Sequence, residues 1–330
     1  MLNNGVYLDL YYWLVLTRRA EEKLREVYRS QKDEKLIFGN IYLSTLQEAI
    51  AVGAACAVRP TDWISHTHRE LGALLVRGRC DLEKIFANYL AKQTGYTRGR
   101  DSGLNFGNME NRVILKHPFM AVNLLVAAGV AWEIKNQKRG EIVLAFLGDG
   151  ATSEGFTHEA MNAAGLWKLP IVFVCNNNQL AISTPFEKQV AGGNIANRAA
   201  AYGFKSARVD GTDVLKVHKA VSLAADLARV GDGPVLVECV GFRLSGHAEH
   251  DAADYIPEEI WNEWKKPEHD PIVKFQRYLI GNRLANETDL RERERMVDEE
   301  IASAWEKAKS QPFPSPESCL DNLYEGGEQK

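Results

Sequence analysis

EIVLAFLGDGATSEGFTHEAMNAAGLWKLPIVFVCNNN, residues 141–178, decides how the chain folds. EIVLAF reads as a buried strand, FLGDGATSEG (146–155) as its turn, GFTHEAMNAAGLWKL as a helix and LPIVFVCNNN as a second strand and turn. Further on, FKSARVDGTD (204–213) and GPVLVECVGF (233–242) give two more strands, with the helix DVLKVHKAVSLAADLARV between them. Strands alternating with helices predict an α/β fold: a mainly parallel sheet with helices on both faces. Ligands of such sheets bind beyond the carboxyl ends of the strands, which is where the Gly/Asp/Asn clusters of this chain fall.

Upstream, residues 6–31 read as an amphipathic helix, 46–58 as a tightly packed small-residue helix and 37–45 as a loop. DWISHTHRELGALLVRG (62–78) runs from a strand-like start into a helix. Residues 96–112 are loop, and LLVAAGVAWEIKN (124–136) is a long apolar helix. After Pro257 the chain becomes charged and helical, with a Pro-rich stop in QPFPSPESC. Residues 1–257 are therefore expected to form the α/β unit, and 258–330 a helical extension packed on it.

The 330 residues, 45% hydrophobic and 25% charged, suffice for a sizeable core. The net charge of −4 comes without a Lys/Arg block, which argues against nucleic acid as a partner. Five dispersed cysteines (Cys56, Cys80, Cys175, Cys239, Cys319) point to reduced thiols and a cytoplasmic setting. The apolar stretch near the start is too short to span a bilayer and runs on into a charged helix, so no membrane or targeting segment is expected.

Asp149 closes the first strand between Gly148 and Gly150, and Asn178 closes the second, twenty-nine positions later. GDG alone is an ordinary strand-ending turn. Paired with NN at the end of the next strand, it matches a thiamin diphosphate fingerprint. A carboxylate, an amide oxygen and backbone carbonyls are hard ligands that suit magnesium or calcium, and magnesium typically adds phosphate oxygens. The glycines would let backbone approach phosphate, aided by the start of the helix near Gly155. Arg69, at a strand-to-helix junction, suits a bidentate grip on phosphate or, alternatively, an ion pair with Glu70 or Glu48. His66 and His68 lack a third ligand at metal spacing. His247 follows the last strand and could pass a proton near pH 7, or simply bond Asp251 or Glu249.

These motifs, with EEKL, QEA (47–49), HRELG, VDGTD, GHAEHD and the closing DPI…EI…AW, are similar to the α subunit of the decarboxylating component of 2-oxo acid dehydrogenase complexes. That family includes the pyruvate, branched-chain 2-oxo acid and acetoin enzymes. The resemblance implies thiamin diphosphate held with Mg2+ by the Asp149 and Asn178 side chains and the Leu180 carbonyl. Gly148, Gly150 and Ala151 would line the diphosphate, Arg69 would grip it, and His68 would sit against the cofactor. Phe119 takes the place expected under the pyrimidine ring. His247 would contact the diphosphate and assist acyl transfer to a lipoyl group. Ala248 stands where some relatives carry a phosphorylated serine, so no such switch is expected.

The chain departs from the family pattern at Leu46, Leu71, Asn105, Asn176 and His117. Leu71 tilts the expected substrate slightly toward a branched-chain-like or unassigned 2-oxo acid, and the 117–124 segment makes a potassium site doubtful. No glutamate with a pyrimidine-domain context is found. The resemblance assigns that half-site to a β subunit, in an α2β2 heterotetramer serving a lipoyl-bearing acyltransferase. A two-chain carboligase or transketolase-like enzyme, and a non-catalytic scaffold, are the alternatives.

Overall fold

The computed structural model describes residues 4–31, 35–78 and 81–321; Cys80 and the outer ends of both expected units lie outside them. The helical entry consists of α1 (Asn4–Ser30) and α2 (Glu48–Cys56). Then follow β1 (Trp63–Ser65), α3 (Leu71–Gly78), α4 (Leu82–Tyr89), β2 (Val113–Ile114) and α5 (Val122–Asn136). The centre of the chain is β3 (Val143–Gly148), α6 (Gly155–Leu166) and β4 (Ile171–Asn177). Next come β5 (Leu180–Ala181), β6 (Thr184–Pro185), α7 (Arg198–Ala201), β7 (Lys205–Asp210), α8 (Val214–Arg229) and β8 (Val235–Val240). The chain closes with α9 (Glu258–Trp264), α10 (Pro271–Gly281) and α11 (Glu287–Ser310).

Among the described residues, six strands form one parallel sheet in the order β2-β1-β3-β4-β8-β7, and β5 pairs with β6 apart from it. Alternation along β3 divides the side chains between two cores. Val143, Ala145 and Leu147 meet Ala127 and Ala131 of α5 and Ala160 and Ala164 of α6. Leu144 and Phe146 meet Ile50 and Ala54 of α2 and Val217 and Val221 of α8. Alanines on the covering helices let them lie close to the sheet, and both faces are buried, as parallel strands require. The α/β class read from the sequence is the class observed.

A third core is purely helical. Leu14 of α1, Leu74 of α3 and Phe86 of α4 pack with Phe275, Leu279, Val297 and Trp305 of α10 and α11. α11 starts in a capping box formed by Asn286 and Asp289. Arg18 of α1 bonds Glu48 of α2 and lies 3.1 Å from Asp270, the cap of α10. No helix among the described residues is long and apolar enough to cross a membrane. Cys175 and Cys239 are buried free thiols, while Cys319 is exposed.

The register prepares the site. Gly148 lies opposite Asn176, and Asn177 opposite Val240. The ends of β3, β4 and β8 therefore finish side by side. One detail differs from expectation: a 3-10 turn, Gly150–Ser153, separates Asp149 from α6. The backbone N–H groups nearest Asp149 belong to that turn, not to the start of α6.

Candidate functional site

A cavity of about 470 Å³ opens at this sheet edge. His68, Arg69, Phe119, Gly148, Asp149, Gly150, Ala151, Asn178, Leu180 and His247 all line it, so the residues expected to contact cofactor or metal meet there. Tyr42, Lys116 and Arg243 line it too, from segments that local patterns do not mark as functional.

Asp149 is 2% exposed, and burial pushes its carboxyl up to about 6. Gln189 Nε2 donates to its Oδ2 at 2.9 Å. Asn178, also buried, donates Nδ2 to Gln47 Oε1 at 2.9 Å and accepts the Leu180 N–H on Oδ1 at 3.3 Å. Asn177 points elsewhere, donating to buried Glu238 at 2.7 Å, so of the last two asparagines it is Asn178 that lines the cavity. Asn176 also lines it, and its buried Oδ1 has no partner among the described residues.

The cationic side is built by two guanidinium groups. Arg69 Nη1 donates to the Leu43 carbonyl at 2.8 Å, and Nη2 to the His247 carbonyl at 2.6 Å. Glu48 is engaged by Arg18, and Glu70 accepts from the Thr67 N–H at 2.7 Å, so neither takes Arg69 as an ion pair. Arg243, 1% exposed, donates to the carbonyls of Leu180 at 3.3 Å and Ser245 at 3.1 Å, and to the Tyr255 hydroxyl at 2.6 Å. Among the described residues neither arginine has a carboxylate within ion-pair distance. Burial and the nearby Arg243 lower the Arg69 guanidinium to about 10. Two buried cations lining one cavity, neither in an ion pair, favour an anion there.

Two cavity histidines are held below the ordinary imidazole range. Burial and the adjacent Arg69 and Arg243 depress His247 to about 4, and His68 also falls well below its usual range. Tyr42, His68 and His247 form a ring cluster with centroids 4.6, 5.2 and 5.5 Å apart. The backbone N–H of His247 bonds Asp251 at 2.7 Å, while its Nδ1 lies 3.3 Å from Arg69 Nη2. His66 turns its ring nitrogens to the Thr67 and Phe106 carbonyls. Glu249 pairs with Arg25 and Arg29 of α1, and His250 is exposed.

Phe119 is 70% exposed and stacks on His117 at the cavity rim, with Met120 and Ile182 also exposed there. Leu71 packs in the helical core and does not reach the cavity, so it cannot tune a substrate by contact.

The donor set fits a metal-bound diphosphate: hard oxygens and two guanidinium groups line one cavity. Gly148 lines the space, and a Cβ built on it would meet no atom within 4 Å. Gly150 is glycine for another reason: a Cβ there would lie 2.7 Å from Ala181 Cβ.

A parallel α/β sheet that brings these groups to one edge defines a subunit that binds a phosphorylated cofactor. The chain belongs to the dehydrogenase E1 component family, whose profile matches residues 12–317. It is 33% identical to the α subunit of acetoin:2,6-dichlorophenolindophenol oxidoreductase of Bacillus subtilis, over 96% of this chain and 93% of that one. It is 32% identical to the 2-oxoisovalerate dehydrogenase α subunit of the same organism, over 96% and 94%. The pyruvate dehydrogenase E1 component α subunit of Zymomonas mobilis is 30% identical, over 97% and 88%. The resemblance carried by the motifs thus extends over nearly the whole chain.

Proposed function

We propose that the chain is the α half of a two-chain 2-oxo acid dehydrogenase, decarboxylating a 2-oxo acid and passing the acyl group to a lipoyl domain. The family implies thiamin diphosphate as cofactor. When bound, that cofactor supplies the electron sink that lets a 2-oxo acid lose carbon dioxide. The observation that carries the reading is the cavity where Asp149 and Asn178 face Arg69 and Arg243.

Asp149, Asn178 and the Leu180 carbonyl would hold Mg2+. That carbonyl already accepts from Arg243, which leaves a second lone pair that a cation could use. Arg69 and Arg243 would neutralise the diphosphate. His247, neutral at pH 7, offers an imidazole nitrogen that can accept a proton at the cavity wall. An anion that offsets the two guanidinium charges would raise the basicity of His247, while burial, the larger cause, would still hold it low.

The exposed apolar rim of Phe119, Met120 and Ile182 supports closure of the site by a β subunit. Such a subunit would carry the pyrimidine half-site in an α2β2 assembly serving a lipoyl-bearing acyltransferase. The dispersed free cysteines support a cytoplasmic setting.

The test is co-expression with the β-type partner. Mg2+-dependent thiamin diphosphate binding is measured by calorimetry, and 2-oxo acid decarboxylation with and without lipoyl domain. Binding and lipoyl-dependent turnover are expected; a complex that binds no cofactor in Mg2+ would overturn the reading.

A further inference from the structure

Gln47 lies behind the cavity wall, 1% exposed, at the residue preceding α2. That position usually caps a helix, yet the Gln47 side chain makes no cap bond. Its Oε1 accepts instead from Asn178 Nδ2, 131 residues away, and its Nε2 is buried without a partner among the described residues. The backbone that aims it is equally unusual. Leu46 holds φ +69, a left-handed conformation costly for a leucine, and the Gln47 N–H returns to the Ser44 carbonyl at 2.6 Å.

The consequence falls on Asn178. A carboxamide has one oxygen and one nitrogen, and only the oxygen can face a cation. While Gln47 presents its oxygen, the Leu180 N–H at Oδ1 and that oxygen at Nδ2 together admit one orientation. Turned over, Asn178 would set its NH2 against the Leu180 N–H and its oxygen against Gln47 Oε1.

We propose that Gln47 is a positioning residue for the metal site: it locks the Asn178 amide with its oxygen available to Mg2+. This rests on the magnesium reading above. Groups that orient a ligand from behind typically change metal affinity by about 10–100-fold when removed.

The experiment uses the co-expressed complex and titrates Mg2+ at saturating thiamin diphosphate, reading cofactor binding by calorimetry and fold stability by melting. Q47M, similar in length but without an acceptor, is expected to raise the half-saturating Mg2+ concentration by about 10-fold or more. Q47E keeps an acceptor oxygen and is expected to stay close to the native value. Q47M/N178D is the decisive variant, because a carboxylate presents oxygen in either orientation and needs no lock; it is expected to recover most of the affinity lost in Q47M. A packing role alone would leave Q47E as impaired as Q47M and give no recovery. Native affinity in Q47M, or a double variant no better than Q47M, would overturn the proposal while leaving the functional reading intact. Failure of the native complex to bind cofactor would remove both.

Discussion

Asp149 illustrates the cost of keeping a carboxylate in a dry wall. Burial raises its pKa from 3.8 to about 6, so the folded chain holds the proton more tightly than the unfolded one. The penalty is absent below about pH 4 and complete above about pH 6, where it amounts to on the order of 3 kcal/mol. D149N is therefore expected to raise the melting temperature of the metal-free chain at pH 8, with a gain that shrinks toward pH 4. The same variant is expected to lose Mg2+-dependent cofactor binding. An equal gain at pH 8 and pH 5 would show that burial does not strain this carboxylate. His247 gives a second electrostatic prediction. In the ligand-free protein its imidazole is expected to titrate near pH 4, and Mg2+ with pyrophosphate should move that titration upward. NMR of the imidazole resonances, assigned with H247N, reads the shift; an unmoved titration would break the link between His247 and the anion site.

At the scale of elements, β3 with its turn is the part of the site most legible in sequence. Asp149 and Asn178 each end an apolar run, and two such runs joined by one helix are natural neighbours in a parallel sheet. What stayed hidden has physical reasons. Arg243 stands in GFRLSG, where nothing local says that a guanidinium will be buried among carbonyls from the β5–β6 region. Tyr42 and Gln47 act through neighbours more than a hundred residues away or through ring contacts with distant histidines. The two-residue strands β2, β5 and β6 are too short to show periodicity. The turn itself separates two kinds of glycine. G150A is expected to cost about 1–3 kcal/mol in stability, because its Cβ meets Ala181. G148A is expected to melt near the native temperature and yet bind cofactor less tightly, since its Cβ projects into open cavity. Thermal melts paired with binding titrations distinguish them; equal melting losses would contradict the contrast.

For the whole molecule, the terminal helices close the N-terminal core more than they decorate it. Phe275, Leu279, Leu290, Val297, Ile301 and Trp305 are buried against α1, α3 and α4. At about 1.5–3 kcal/mol each, their burial is of the same order as the roughly 5–15 kcal/mol that stabilises a typical domain. A chain ending at Pro257 is expected to lack a cooperative thermal transition in circular dichroism. A sharp melt near that of the full chain would make the tail an appendage.

The anchoring of Arg69 has a consequence for how the protein is made. Its guanidinium ties the carbonyl of Leu43 to that of His247, so the cavity wall joins parts of the chain 204 positions apart (247 − 43). During translation the β3–α6–β4 unit can emerge and pair while Arg243 and His247 are still unmade. A chain stopped before β8 would then hold Asp149, Asn178 and Arg69 without Arg243 and His247. The pocket wall is thus closed only once the chain has been read through β8, and Arg69 waits for its second anchor at His247.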